Sequence, residues 1–309
     1  MSVKSEGKLF YAEIPKGYTF KVTIDSLVTI MNRGTFIANK DGIFFRQADE
    51  AEHILYDANF PRKNLPGYAC KKEIFFNLNL SHFHKLMKNV KKKDSIVMYI
   101  DMNEQEKLSL VIKPSDSKTN PSDSRTENIF VVIKQLQIQP PIMDLPDIMP
   151  DGAQVYTYPK VIKSSEVQKM KKMTSVGKII KVEMQGSNYI SFEADRGELY
   201  GSRFEYGQKL DEQDIKHRDD IDKSELFLYN AQFNVSSFVL LTKLPGLCSQ
   251  MQFYAPTVPH YPIKIGMDAL GLGTINVYVK DIDQINCEQK QKEHEITTVS
   301  ATNNPILSY

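Results

Sequence analysis

The residues best suited to chemistry by type and spacing are His82 and His84 in "LSHFHKLMKNVKKKD" (80–94), where two imidazoles stand among five lysines. Two histidines bind one metal ion only if both reach the same point. A helix turns about 100° per residue, so side chains two positions apart diverge by about 160°. The metal reading therefore fails on geometry, and no metal or cofactor is expected. The same helix would gather Leu80, Phe83, Leu86, Met87 and Val90 on one side. Ser81, Lys85, Lys88 and Lys92 fall on the other, a ridge roughly 10 Å long that spans a few phosphate repeats. Lysines with no interleaved aromatic rings reach phosphates without reading base edges or stacking on unpaired bases, which points to non-specific duplex binding. A second titratable cluster, His217 with Asp214 and Asp219 in "KLDEQDIKHRDDIDKSE" (209–225), reads as a solvated charged loop. No GxSxG, HExxH, P-loop or GxGxxG pattern accompanies it, so no enzyme is expected.

The elements that must position such a ridge are mostly strands. Runs such as "GIFFRQ", "EIFFNLNL", "SIVMYID", "KIIKVEM" and "TINVYVKDI" recur along the chain, and "TFKVTI" (19–24) reads the same way. Four stretches carry a helical period instead: 22–34, 78–93, 161–177 and 231–246. Asp25, Ser81, Ser165 and Asn234 are their expected N-caps, each followed by about three turns. The third stretch repeats the pattern of the second, with Val167, Met170 and Met173 on the apolar side and Gln168, Lys172 and Ser175 opposite, flanked by Lys169 and Lys171. The first offers Thr29 and Arg33, and the fourth Ser236 and Lys243. Acids are scarce on these faces and collect in the loops, so the four helices are expected to wall a groove for a polyanion.

Four similar strand–helix–strand units imply an internal repeat in an α+β chain. At 309 residues two domains are expected, 1–136 and 160–285, joined by the Pro-rich connector 137–159 "QIQPPIMDLPDIMPDGAQVYTYP". Residues 113–128 read as a polar loop, and 286–309 as a flexible polar tail. Lys plus Arg number 39 against 38 Asp plus Glu, which excludes a globally basic nucleic-acid binder. Three separated cysteines and the opening "MSVKSEGKLF" point to a reducing compartment, and no run is apolar enough for a bilayer span.

In order and wording these elements resemble sliding clamps of the proliferating cell nuclear antigen (PCNA) type. The likeness is carried by "FKVTIDSLVTIMNRGTFIANKDGIFFRQADEAEHILYDANF" (20–60), by "FNLNLSHFHKLMKNVKKKDSIVMYID", by the connector "IMDLPDIMPD" and by "YPIKIGMDALGLGTINVYVKDID". It implies a two-domain clamp fold, each domain two β-α-β-β-β units, with helices lining a central channel around double-stranded DNA. Arg33, Lys85, Lys88, Lys92, Lys169, Lys172 and Lys243 would then face the DNA. The resemblance further implies a head-to-tail homotrimer joined at edge strands, for which 128–136 and 198–207 stand in the right places. His53, Ile148, Met149, Pro262 and Tyr278 match the pocket that takes a short motif from DNA polymerase and other clamp-binding proteins. A nuclear location follows, or a cytoplasmic replication site if the chain is viral. The alternatives are a clamp-fold transcription or scaffold factor, and a monomeric or heterotrimeric clamp subunit.

Overall fold

A computed structural model describes residues 5–114, 132–140, 155–186, 188–195, 201–210, 227–239, 243–259 and 261–302. The first half runs β1 (Lys8–Ile14), α1 (Gly17–Leu27), β2 (Arg33–Asn39), β3 (Gly42–Ala48), β4 (Ile54–Pro61), the short β5 (Tyr68–Cys70), β6 (Ile74–Asn79), α2 (Leu80–Met87), β7 (Ser95–Asp101), β8 (Lys107–Lys113) and β9 (Val132–Gln137). The second runs β10 (Lys160–Lys163), α3 (Ser164–Lys169), a 3-10 turn (Met170–Ser175), β11 (Ile179–Gln185), β12 (Tyr189–Asp195), β13 (Gly201–Tyr206), β14 (Leu228–Asn234), α4 (Val235–Val239), a 3-10 turn (Leu244–Gly246), β15 (Gln250–Tyr254), β16 (Ile263–Asp268), β17 (Thr274–Val279) and α5 (Ile282–Thr302). With β5 set aside, the order is β-α-β-β-β four times over, the α+β repeat expected of a sliding-clamp fold.

Sister units exchange their first strands. The sheets run β5-β1-β7-β8-β9, β10-β15-β16-β17-β4-β3-β2-β6 and β13-β12-β11-β14, so each opening strand joins the three later strands of its neighbouring unit. Such an exchange ties two units into one body, because neither sheet closes without the other unit's chain. The halves are joined in turn by β17 against β4, antiparallel from Thr274↔Asn59 to Val279↔Ile54. Among the described residues β9 and β13 are sheet edges, as their positions suggested.

α1 to α4 and their 3-10 turns pack side by side, α1 on α2 and the turn Leu244–Gly246 on both α1 and α3. In the first half Phe83 of α2 meets Phe20 of α1 at 6.1 Å and Phe36 of β2 at 6.2 Å, ring centroid to centroid. Phe233 and Phe238 repeat this in the second half at 5.2 Å. The buried hydroxyl of Tyr56 on β4 lies 3.0 Å from Ser26 Oγ, which satisfies both groups and pins α1 to the sheet. Gly246 packs closely between halves, since a Cβ there would stand 3.2 Å from Val22 of α1.

Three expectations change. "TFKVTI" is helical rather than extended: Phe20, Ile24 and Leu27, at helical spacing, are buried, and this burial outweighs the β preference of Val22, Thr23 and Ile24. Asp25 therefore sits in the interior of α1 instead of capping it. Arg33 is the first residue of β2 and not part of a helix, because the chain turns out of α1 after Leu27. The stretch from 286, expected as a flexible tail, lies in α5 through Thr302. Asp281 and Gln284 start that helix reciprocally: the Gln284 amide donates to Asp281 Oδ1 at 2.7 Å and the Asp281 amide to Gln284 Oε1 at 3.3 Å.

Candidate nucleic-acid interface and partner pocket

α2 begins at Asn79, whose side chain accepts from the His82 amide at 2.9 Å, so the cap lies two residues before Ser81. Leu80, Phe83 and Met87 are buried and Lys85 is exposed, as its period requires. The helix ends at Met87, with Lys88 in the capping position. Beyond it Asp94 organises a turn, accepting from the Lys91 amide at 2.9 Å while its own amide donates to Lys91 O at 3.1 Å. Lys92 is exposed in that turn and does not continue the helical ridge, a correction forced by the need to start β7 at Ser95. Two other lysines serve the end of the helix: Lys21 donates to Lys88 O at 2.8 Å and Lys134 to Leu86 O at 2.7 Å. They satisfy carbonyls that the last turn leaves open.

His82 is exposed, while His84 turns to α1, its Nε2 3.2 Å from Asp25 Oδ1. Burial raises the pKa of Asp25, opposed by His84, Lys21 and Lys243, so a cation from the second half of the chain also bears on this carboxylate. In the third unit Val167, Met170 and Met173 are buried and Lys169, Lys171 and Lys172 exposed. Glu166 holds Lys169 with both oxygens, at 2.9 and 2.8 Å. The acids of α1 and α3, Asp25 and Glu166, thus each have cations beside them, and Lys85, Lys88, Lys92, Lys172 and Lys243 are exposed. Arg33 is exposed at the start of β2. Among the described residues no group of His, Cys, Asp and Glu could hold a metal ion. His217, Asp214 and Asp219 lie outside the described residues.

Of the residues expected in a partner pocket, Ile148 and Met149 lie outside the described residues. His53, Pro262 and Tyr278 come together at one end of β4, β16 and β17. Ile263 pairs with Val279 and Val279 with Ile54, while the Lys280 amide donates to His53 O at 3.0 Å. Tyr56 faces α1, so the neighbouring Leu55 and its cross-strand partners Tyr278, Lys264 and Tyr254 belong to the opposite sheet face. Tyr156, from the end of the connector, lies over this row with its ring 6.4 Å from both Tyr254 and Tyr278. Its hydroxyl donates to Pro262 O at 3.0 Å. Tyr156, Tyr254 and Lys264 carry no signal in the sequence, since only the register of β15, β16 and β17 and the end of the connector bring them together.

Residues 9–133 match the family model described as proliferating cell nuclear antigen, N-terminal domain. The chain is similar to the DNA polymerase sliding clamp of Nitrosopumilus maritimus (strain SCM1), 34% identical over 92 residues, which is 30% of this chain and 36% of that protein. It is similar also to that of Cenarchaeum symbiosum (strain A), 28% over 120 residues, 36% of this chain and 48% of that one. A third, from Pyrococcus furiosus, is 25% identical over 100 residues, 32% of this chain and 39% of the relative. The matched segments thus span less than half the length of these relatives.

Proposed function

We propose that this chain, which carries a PCNA-type N-terminal domain at 9–133, is a divergent DNA sliding clamp: a ring that encircles duplex DNA and tethers DNA polymerase. The observation that carries the reading is the fourfold β-α-β-β-β repeat with α1 to α4 packed side by side, exposing lysines while their acids Asp25 and Glu166 lie beside cations. Lysines hold DNA by its phosphates and leave it free to move along its axis. Such a protein works by enclosure and needs no active site.

One chain offers four helical segments, too little wall to surround a duplex about 20 Å across, so several copies must close the ring. The edge strands β9 and β13 supply complementary, open backbone for a head-to-tail contact that closes as a homotrimer. Partners dock by a short peptide segment in the corner of Tyr156, Pro262 and Tyr278, to which the resemblance adds Ile148 and Met149 of the connector. A native mass near three times 35.4 kDa supports the ring. A species that stays monomeric at high concentration and low salt overturns the homotrimer and leaves a monomeric or heterotrimeric clamp subunit.

A further inference from the structure

We infer that Lys264 makes the partner pocket selective for a docking peptide that carries a carboxylate side chain, an Asp or Glu placed beside the apolar residue that fills the Tyr156–Tyr278 corner. The inference rests on the reading of that corner as the partner pocket.

Lys264 stands in the middle of the row, with Tyr254 and Tyr278 as its direct cross-strand neighbours. Its Nζ lies 4.9 Å from the centroid of the Tyr254 ring and 5.8 Å from that of Tyr156. Aromatic faces attract an ammonium but accept little from its three donors. The ring hydroxyls are committed elsewhere, Tyr254 donating to Gln252 Oε1 at 2.6 Å and Tyr156 to Pro262 O. Asp57, the acid that acts on Lys264 electrostatically, is engaged by Arg46 at 3.3 Å. Among the described residues no carboxylate lies within 4 Å of Lys264 Nζ.

Half-burial lowers the pKa of Lys264, a cost that Asp57 and the two rings offset only in part. A methionine or leucine would line an apolar pocket without that cost. A positive charge held between aromatic rings at the floor of a docking site rejects basic and favours acidic segments, because an unpaired charge on either side is penalised when water leaves.

The test is selection of peptides from a displayed random-peptide library on the full chain and on its Lys264→Met and Lys264→Glu variants. Methionine keeps the stem on the rings and removes the charge. Peptides that bind the wild type and lose binding with Tyr156→Ala are expected to carry Asp or Glu at a fixed offset from an apolar residue. Changing that acid to its amide should weaken binding roughly tenfold or more on wild type and leave Lys264→Met unaffected. Lys264→Glu should select Lys or Arg at the same offset. If wild type and Lys264→Met select the same peptides, with no acid at a fixed offset, the inference is overturned while the pocket stands; that is also the result if an acid of the chain's own connector occupies the lysine. If no selected peptide depends on Tyr156 or Tyr278, the pocket itself is overturned and the inference with it.

Discussion

His84 on α2 and Asp25 on α1 meet at 3.2 Å and join two helices that neither residue's local sequence would place together. Asp25 lies among His84, Lys21 and Lys243, and its burial disfavours the charged form. Removing His84 alone leaves that carboxylate less compensated. We expect His84→Gln to destabilise the fold by roughly 1 kcal/mol or less, since the pair is partly exposed. Asp25→Asn in the same chain should recover the loss. A chemical denaturation cycle of the two single variants and the double measures it, and strictly additive effects would refute the coupling.

Lys85, Lys88 and Lys92 remain exposed although only Lys85 lies inside α2. Their joint change to Ala should weaken duplex binding without altering the assembled mass. Each lysine that neutralises a phosphate adds about 0.9 to the slope of log affinity against log salt, so the variant should flatten that slope. Fluorescence anisotropy with a labelled duplex over a salt series reads it. An unchanged slope would remove these lysines from the interface.

The open edge of β13 pairs with β12 on one side only, from Ile190↔Tyr206 to Asp195↔Gly201. Amides along a strand alternate between its two sides. Proline placed singly from 202 to 206 should therefore dissociate the ring without unfolding the chain at alternate positions, and damage the fold at the others. Native mass paired with circular dichroism separates the two. Intact rings with proline at every position would exclude β13 from the contact.

Lys264 yields a pH dependence of definite sign. Its pKa is lowered in the fold, so between that value and the ordinary 10.5 the unfolded chain holds a proton that the folded chain has released. Stability from this group rises with pH across that window and is least below it. Lys264→Met should therefore be the more stable protein at neutral pH, by a few degrees in Tm at most, with the gap narrowing as pH climbs toward 10.5. A wild type more stable than the variant at neutral pH would show that the ammonium has a partner in the free protein.

The fourfold repeat was legible in the sequence because each unit writes alternating strands around one amphipathic stretch, and β9 and β13 could be placed at edges from their positions in the repeat. The start of α1 reads as a strand in the sequence, since Val22, Thr23 and Ile24 prefer extended backbone and only their burial against the sheet makes them helical. Lys92 reads as helical because lysines continue the period past Met87, while Asp94, which organises the turn, carries no periodic signal. The start of α5 could have been found: Asp281 and Gln284 form a capping box in plain sequence. Tyr156, Tyr254 and Lys264 could not, because two sheet registers and the end of the connector bring them together.

The central claim is enclosure of DNA, and retention on a nicked circular duplex against the same duplex cut open tests it most directly. The chain, placed on the circle by its loader or by crowding, should stay bound through a high-salt wash and be lost once a single cut makes the DNA linear, because a ring runs off free ends. Equal retention on both forms would contradict the account and leave a clamp-fold factor that binds DNA by its surface alone.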